Sequence, residues 1–247
     1  MNDTRIRDAM LVALTVSTGA VDALSWLVLG KVFSAFMTGN VVFLGLDAAG
    51  AAGPSVSRVG SSLAAFAAGA LLAARIVSSK TDTSATWPRR VTIALGVALC
   101  AQAAFLGLWL GTSAHPSSGA GDALIGLSAL AMGMQTTAIF ALGVRGVFTT
   151  AATATWALLM GDFSGWSQSR GERRRLASVI TGLFAGAASG ALLVLHARTW
   201  APVLPLAVSA LVVTGATVAF DGAGRLAGVR PLRPRPDRPR PRRMSAG

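Results

Sequence analysis

An aspartate in the middle of an apolar stretch is the first residue to explain. Asp22 lies within the run 9–29, where an ionised carboxylate in hydrocarbon costs about 2.5–3.5 kcal/mol on insertion scales. Such a group persists where it faces protein or a wet cavity. Two roles fit it: a proton or cation site, or a carboxyl that caps and locks a neighbouring interrupted segment. The next feature is Thr38-Gly39-Asn40. Glycine permits irregular backbone, and Thr and Asn can satisfy freed backbone groups or coordinate a solute. Non-helical backbone at membrane depth survives only where protein or water covers it, so a break here implies a packed interior or a cavity. The plainer role for Thr and Gly is a helix–helix contact.

The second half of the chain offers Gln135, with Thr136, Thr137, Thr149, Thr150, Thr153 and Thr155 around it. A buried Gln needs partners, and threonines can bond back to helix carbonyls. This group could line a site opposite Asp22 or serve as interhelical glue. Gln102, alone in its segment, reads as glue.

Catalytic patterns are missing. Gly30-Lys31 is followed by Val32 and lacks the upstream spacing of a phosphate-binding loop. Neither a Gly-x-Ser-x-Gly elbow nor a His-Glu-x-x-His pair occurs. The single cysteine, Cys100, reads as a small buried hydrophobe, and His115 and His196 are far apart. The expectation is no enzyme, no metal and no cofactor.

These residues need elements to position them. Of 247 residues, 53% are hydrophobic and 13% charged, with a mean hydropathy of +0.59. An ordinary soluble domain has about 25% charge, so the composition indicates a membrane protein. Arg5 and Arg7 precede the first apolar run, but no cleavage signal follows, and the run reads as an uncleaved first membrane helix. Eight apolar segments lie at roughly 9–29, 32–46, 59–79, 91–111, 123–144, 147–161, 176–196 and 202–220. Six are long enough to span a core of about 30 Å. Those starting at Val32 and Val147 are short and polar in the middle.

Charge chooses between six and eight crossings. With six, Arg5, Arg7, Arg75, Lys80, Arg89, Arg90, Arg145, Arg170, Arg173, Arg174 and Arg175 share one side, and Lys31, Arg58 and Arg198 the other. With eight, the same bases divide evenly. The positive-inside rule therefore favours six, with both termini cytoplasmic. The fold expected is all-α: a polytopic transmembrane helix bundle of six full spans plus two short broken, re-entrant segments. Eight spans is the alternative.

The membrane domain covers 1–224, in two halves of about 9–111 and 123–220. Val32-Phe33-Ser34 matches Val147-Phe148-Thr149, and Thr38 matches Thr153. Gly19-Ala20-Val21-Asp22 matches Gly133-Met134-Gln135-Thr136, and Phe66-Ala67-Ala68-Gly69 matches Phe184-Ala185-Gly186-Ala187 at an offset of 118. Three crossings per half would invert one repeat relative to the other, a pattern that points to a midplane site in secondary transporters. Gly182, Gly186 and Gly190 are spaced for close helix packing, within the chain or in a homo-oligomer. Trp87, Trp109, Trp166 and Trp200 read as interfacial anchors, and Trp26 and Trp156 as packing.

Residues 225–247 are a separate object, with Pro231, Pro234, Pro236, Pro239 and Pro241 among arginines. The alternation favours a disordered, extended cytoplasmic tail. It carries +7 of the net +12. Its Arg225–Arg243 stretch would attract anionic lipid headgroups, or serve as a solvated topology anchor. Nucleic acid is a poor fit, since no aromatic-rich basic surface accompanies it.

Gly19-Ala20-Val21-Asp22-Ala23, Leu29-Gly30-Lys31-Val32-Phe33-Ser34 and Met37-Thr38-Gly39-Asn40 resemble the signature of the YoaK family (domain of unknown function 1275) over about residues 8–220. The resemblance implies a bacterial multi-pass inner-membrane protein and no established activity. Family members tend to have Gly-Leu-Gln-Asn at 133–136 and Thr-Gly at 153–154, where this chain has Gly-Met-Gln-Thr and Thr-Ala.

The functional expectation is a small-solute or ion transporter or channel, with Asp22 as a titratable coupling group. Thr38, Gly39, Asn40, Gln135 and Thr153 would complete its site. The alternative is a non-transporting membrane assembly or scaffold protein whose basic tail docks lipid or a partner.

Overall fold

The computed structural model describes residues 3–78, 86–144, 152–161 and 169–221. Lys80, Arg145, Val147-Phe148-Thr149, Thr150, Trp166 and the tail 225–247 lie outside the described residues. All regular elements within them are helical: α1 (Asp3–Val28), α2 (Met37–Ala48), α3 (Val56–Val77), α4 (Arg89–Gly111), α5 (Ser118–Phe140), α6 (Ala152–Gly161), α7 (Arg170–His196) and α8 (Val203–Ala216). A wider turn, Thr217–Asp221, extends α8.

Six stretches are long and apolar enough to span a bilayer: the helices α1, α3, α4, α5 and α7, and the segment Arg198–Phe220 built on α8. Contacts at the helix ends show that they alternate in direction. At one end Arg58 Nε donates to Asp122 Oδ1 at 2.7 Å, and its Nη1 to the Leu29 carbonyl at 3.3 Å. Beside them Arg198 Nε donates to the Ala114 carbonyl at 2.9 Å. At the opposite end Arg90 donates to the Ile76 carbonyl at 3.0 Å, Arg175 pairs with Asp8 at 3.5 Å, and Trp87 stacks on Phe220. That second end carries Arg5, Arg7, Arg75, Arg89, Arg90, Arg170, Arg173, Arg174 and Arg175, whereas the first carries Lys31, Arg58 and Arg198.

The two halves interlock through glycines. On α1, a Cβ at Gly19 would strike the Leu183 carbonyl of α7. On α5, a Cβ at Gly133 would strike the Phe66 carbonyl of α3. The reverse contacts also correspond: Gly186 meets the Val16 backbone, and Gly69 meets the Leu130 backbone. Each half thus packs its third helix on the first helix of the other half, and both crossings are parallel. The repeat read from sequence is therefore an inverted one in three dimensions. Its second register is 117 (Phe66 to Leu183, Gly69 to Gly186), one residue from the offset of 118 that side-chain similarity gives. Where glycine removes the Cβ, backbones reach van der Waals contact, the main source of helix association in lipid. Gly182, Gly186 and Gly190 all serve this contact with α1 inside one chain.

Several side chains depart from expectation. Trp87 and Trp109, at the two ends of α4, are buried against protein and do not face outward as anchors; Trp109 is 0% exposed, with its indole N–H donating to the Arg198 carbonyl at 3.3 Å. Trp156 is exposed, whereas Trp26, partly exposed, packs as expected by stacking on Phe33 and Phe43. Cys100 is also exposed, on the outer face of α4, so it is not a core residue. Gln102 does not act as glue through its carbonyl: the buried Oε1 has no partner among the described residues.

Candidate functional site

The site forms where the chain leaves α1 and turns back towards α2. The turn is made at Gly30 (φ 98°) and Lys31 (φ 59°). Left-handed backbone is ordinary for glycine and uncommon for lysine. The break therefore lies upstream of Gly39, which sits in the first turn of α2. Residues 32–36 cross this region without helical hydrogen bonds, so their polar backbone groups need other partners.

Three side chains, Asp22, Asn40 and Ser62, supply them. Asp22 Oδ1 accepts from the backbone N–H of Ser34 at 2.9 Å and of Ala35 at 2.8 Å. Asn40 Oδ1 accepts from the Phe33 N–H at 3.0 Å, and its Nδ2 donates to the Phe33 carbonyl at 2.7 Å. Ser62 Oγ, from α3, donates to the same carbonyl at 2.6 Å. Ser25 and Ser34 share a hydroxyl–hydroxyl bond of 2.7 Å. The start of α2 has no side-chain cap of its own at Phe36. The Asp22 carboxylate, bonded to the two residues before it, lies at the positive end of that helix, where an anion is favoured.

Asp22 also faces open space. A cavity of about 640 Å³ is lined by Thr18, Asp22 and Trp26 of α1, by Phe33 and Phe36, and by Leu183, Ala187 and Ala191 of α7. Ala152 and Thr153 of α6 close another side. Thr18, Asp22 and Trp26 form one stripe because they are spaced four apart on a helix.

Of the residues singled out in the sequence, Asp22 and Thr153 come together in this cavity, one from each half. Asn40 is fully buried beneath it. Gly39 supports its wall: a Cβ there would lie 2.9 Å from the Phe36 ring and 3.0 Å from the Phe33 ring. Gln135 is 1% exposed and stands one layer behind, donating to Thr18 Oγ1 at 2.9 Å. Thr38 is exposed and is not part of the lining. Position 136 is the second-half counterpart of Asp22. There Thr136 is buried and donates to the Met132 carbonyl at 2.7 Å, so at this position only the first half carries a carboxylate.

Thr18, Ser25, Ser62, Trp26, Phe33 and Phe36 also belong to the site. Thr18, Ser25 and Trp26 had a signal in their helical spacing from Asp22. Ser62 had none, because only the fold brings α3 to the turn.

Alternating apolar spans, interlocked inverted halves and a polar turn buried among the helices define a multi-pass α-helical membrane protein. Comparison with known proteins agrees. A family model described as "Protein of unknown function (DUF1275)" matches residues 10–215. The UPF0700 transmembrane protein YoaK of Bacillus subtilis (strain 168) is 34% identical over 165 residues, covering 67% of this chain and 71% of that one. The chain belongs to the DUF1275 family. No solved structure matches it.

Proposed function

We propose that this protein moves a small solute or ion across the bacterial inner membrane, with Asp22 as the group that couples transport to protons. The observation that carries the reading is the shared lining of one cavity by Asp22 and Thr153, between inverted halves and beside an interrupted segment. Helical transporters place solute sites at such interruptions, with half-helix ends turned towards charge. The termini are read as cytoplasmic because the arginine-rich helix ends lie with them. On that side the Arg225–Arg243 tail would meet anionic headgroups.

The test uses full-length protein in proteoliposomes holding a pH-sensitive dye, with the membrane potential clamped. Proton movement is followed alone and against opposing gradients of small solutes. Asp22→Asn should abolish the pH dependence of flux. Wild-type flux in that variant at every pH would remove Asp22 as the coupling group.

One observation favours a second reading, a non-transporting assembly or scaffold protein. Asp22 already has a structural task in holding Ser34 and Ala35. Under that reading the protein carries no flux above that of empty liposomes, and deletion of 225–247 abolishes its cellular phenotype.

A further inference from the structure

The walls around Asp22 limit what can sit beside it. One wall is aromatic. The Trp26 and Phe33 rings are stacked with centroids 5.0 Å apart, and Phe33 and Phe36 meet edge to face at 5.2 Å and 82°. The facing wall on α7 is made of the small or branched side chains Leu183, Ala187 and Ala191. Aromatic faces carry negative charge density and attract cations, most strongly when water is excluded.

The charge in the cavity is one-sided. No basic residue, and no titratable group besides Asp22, lines it among the described residues. The N–H groups of Ser34 and Ala35 both bond Oδ1, which orients the carboxylate at the start of α2 and favours its charged form. A bare metal cation needs a shell of oxygen ligands. Among the described lining residues the only other side-chain oxygens are those of Thr18 and Thr153, and Thr18 Oγ1 already donates to the Leu14 carbonyl and accepts from Gln135 Nε2, both at 2.9 Å. Among the described residues no group of three or more His, Cys, Asp or Glu could hold a metal. The volume of about 640 Å³ suits a molecule larger than an ion.

We infer that the cavity takes a small organic cation, of the alkyl- or quaternary-ammonium class, with its charge against Asp22 and its carbon substituents against Trp26, Phe33 and Phe36. This rests on the reading of the cavity as a solute site. Gly39 becomes a positioning residue, since it leaves the room in which the Phe33 and Phe36 rings sit.

The experiment is isothermal titration of the full-length protein in nanodiscs with choline chloride. The comparison compound is 3,3-dimethyl-1-butanol, the neutral carbon isostere. Choline should bind at least about tenfold more tightly than the isostere. Asp22→Asn should weaken choline binding at least about tenfold, and Trp26→Leu or Phe36→Leu by about three- to tenfold. Asp22→Asn retains an acceptor for Ser34 and Ala35, and Phe36→Leu retains apolar bulk. An unchanged melting midpoint confirms that each variant is folded. The inference is overturned if the isostere binds as well as choline, if folded Asp22→Asn binds choline like the wild type, or if potassium displaces choline at equal concentration. Absence of choline binding alongside Asp22-dependent proton flux removes the organic cation and leaves the transport reading standing. Absence of both removes both.

Discussion

The side-chain amide of Asn40 holds both polar groups of Phe33: the N–H at 3.0 Å and the carbonyl at 2.7 Å. An asparagine so placed does for an irregular residue what a neighbouring strand would do in a sheet. It fixes the peptide of Phe33 and thereby the ring that lines the cavity. Asp22 then takes the next two N–H groups, so three successive donors are satisfied by two side chains.

Asn40→Ala should leave the Phe33 N–H buried without an acceptor, at a cost of about 1–3 kcal/mol. The Phe33 carbonyl keeps its bond from Ser62, which limits the damage. Thermal unfolding in nanodiscs should show a clearly lowered midpoint. Asn40→Asp, which keeps an acceptor and loses the donor, should fall between alanine and wild type. Equal midpoints for all three proteins would show that the clamp contributes nothing.

Asp22 separates structure from charge. Asp22→Ala removes the acceptor for Ser34 and Ala35 and should destabilise the protein by about 1–3 kcal/mol. Asp22→Asn should stay near wild-type stability while losing cation binding. Protons and an organic cation compete for one carboxylate, so choline affinity in the wild type should fall as pH falls. No other titratable side chain among the described lining residues contributes to that dependence. A flat affinity between pH 5 and 8 would contradict the competition.

The glycine crossings should respond in pairs. Gly19→Val and Gly133→Val each drive a side chain into a carbonyl of the facing helix. Both should prevent recovery of monodisperse protein from membranes. Gly107 has open space where a Cβ would stand, with no atom within 4 Å. It should accept alanine and gain about 0.5–1 kcal/mol from helix propensity. Similar yields for Gly19→Val and Gly107→Ala, read by size-exclusion chromatography, would sink the interlocked contact.

Orientation is open to direct labelling. In a Cys100→Ser chain, a cysteine at exposed Ala52 should react with an impermeant maleimide added outside intact cells. A cysteine at Thr86 should react only after permeabilisation. The opposite pattern would invert the assignment of the arginine-rich ends.

Much of the architecture was legible because hydropathy and length speak directly to span number. The two short segments stood out as polar interruptions, and Asp22 and Asn40 stood out as groups an apolar run would not otherwise keep. The break was harder. Gly30 and Gly39 are equally permissive on paper, and only the backbone shows that Gly30 and Lys31 take positive φ while Gly39 enters a helix. The tryptophans were hard to place for a related reason. Being near a helix end does not tell whether a neighbouring segment covers it, and Trp109 lies under the turn at Arg198. Cys100 and Thr38 show the same limit: an apolar or polar context names the segment but not the face.

The exchange of third helices between halves sets an order on synthesis. When α3 enters the bilayer, the surface at Gly69 has no companion, because that companion, around Leu130, is still to be translated. The α1 surface at Val16 waits longer still, until Gly186 emerges. Both glycine crossings therefore form only once the second half has been made.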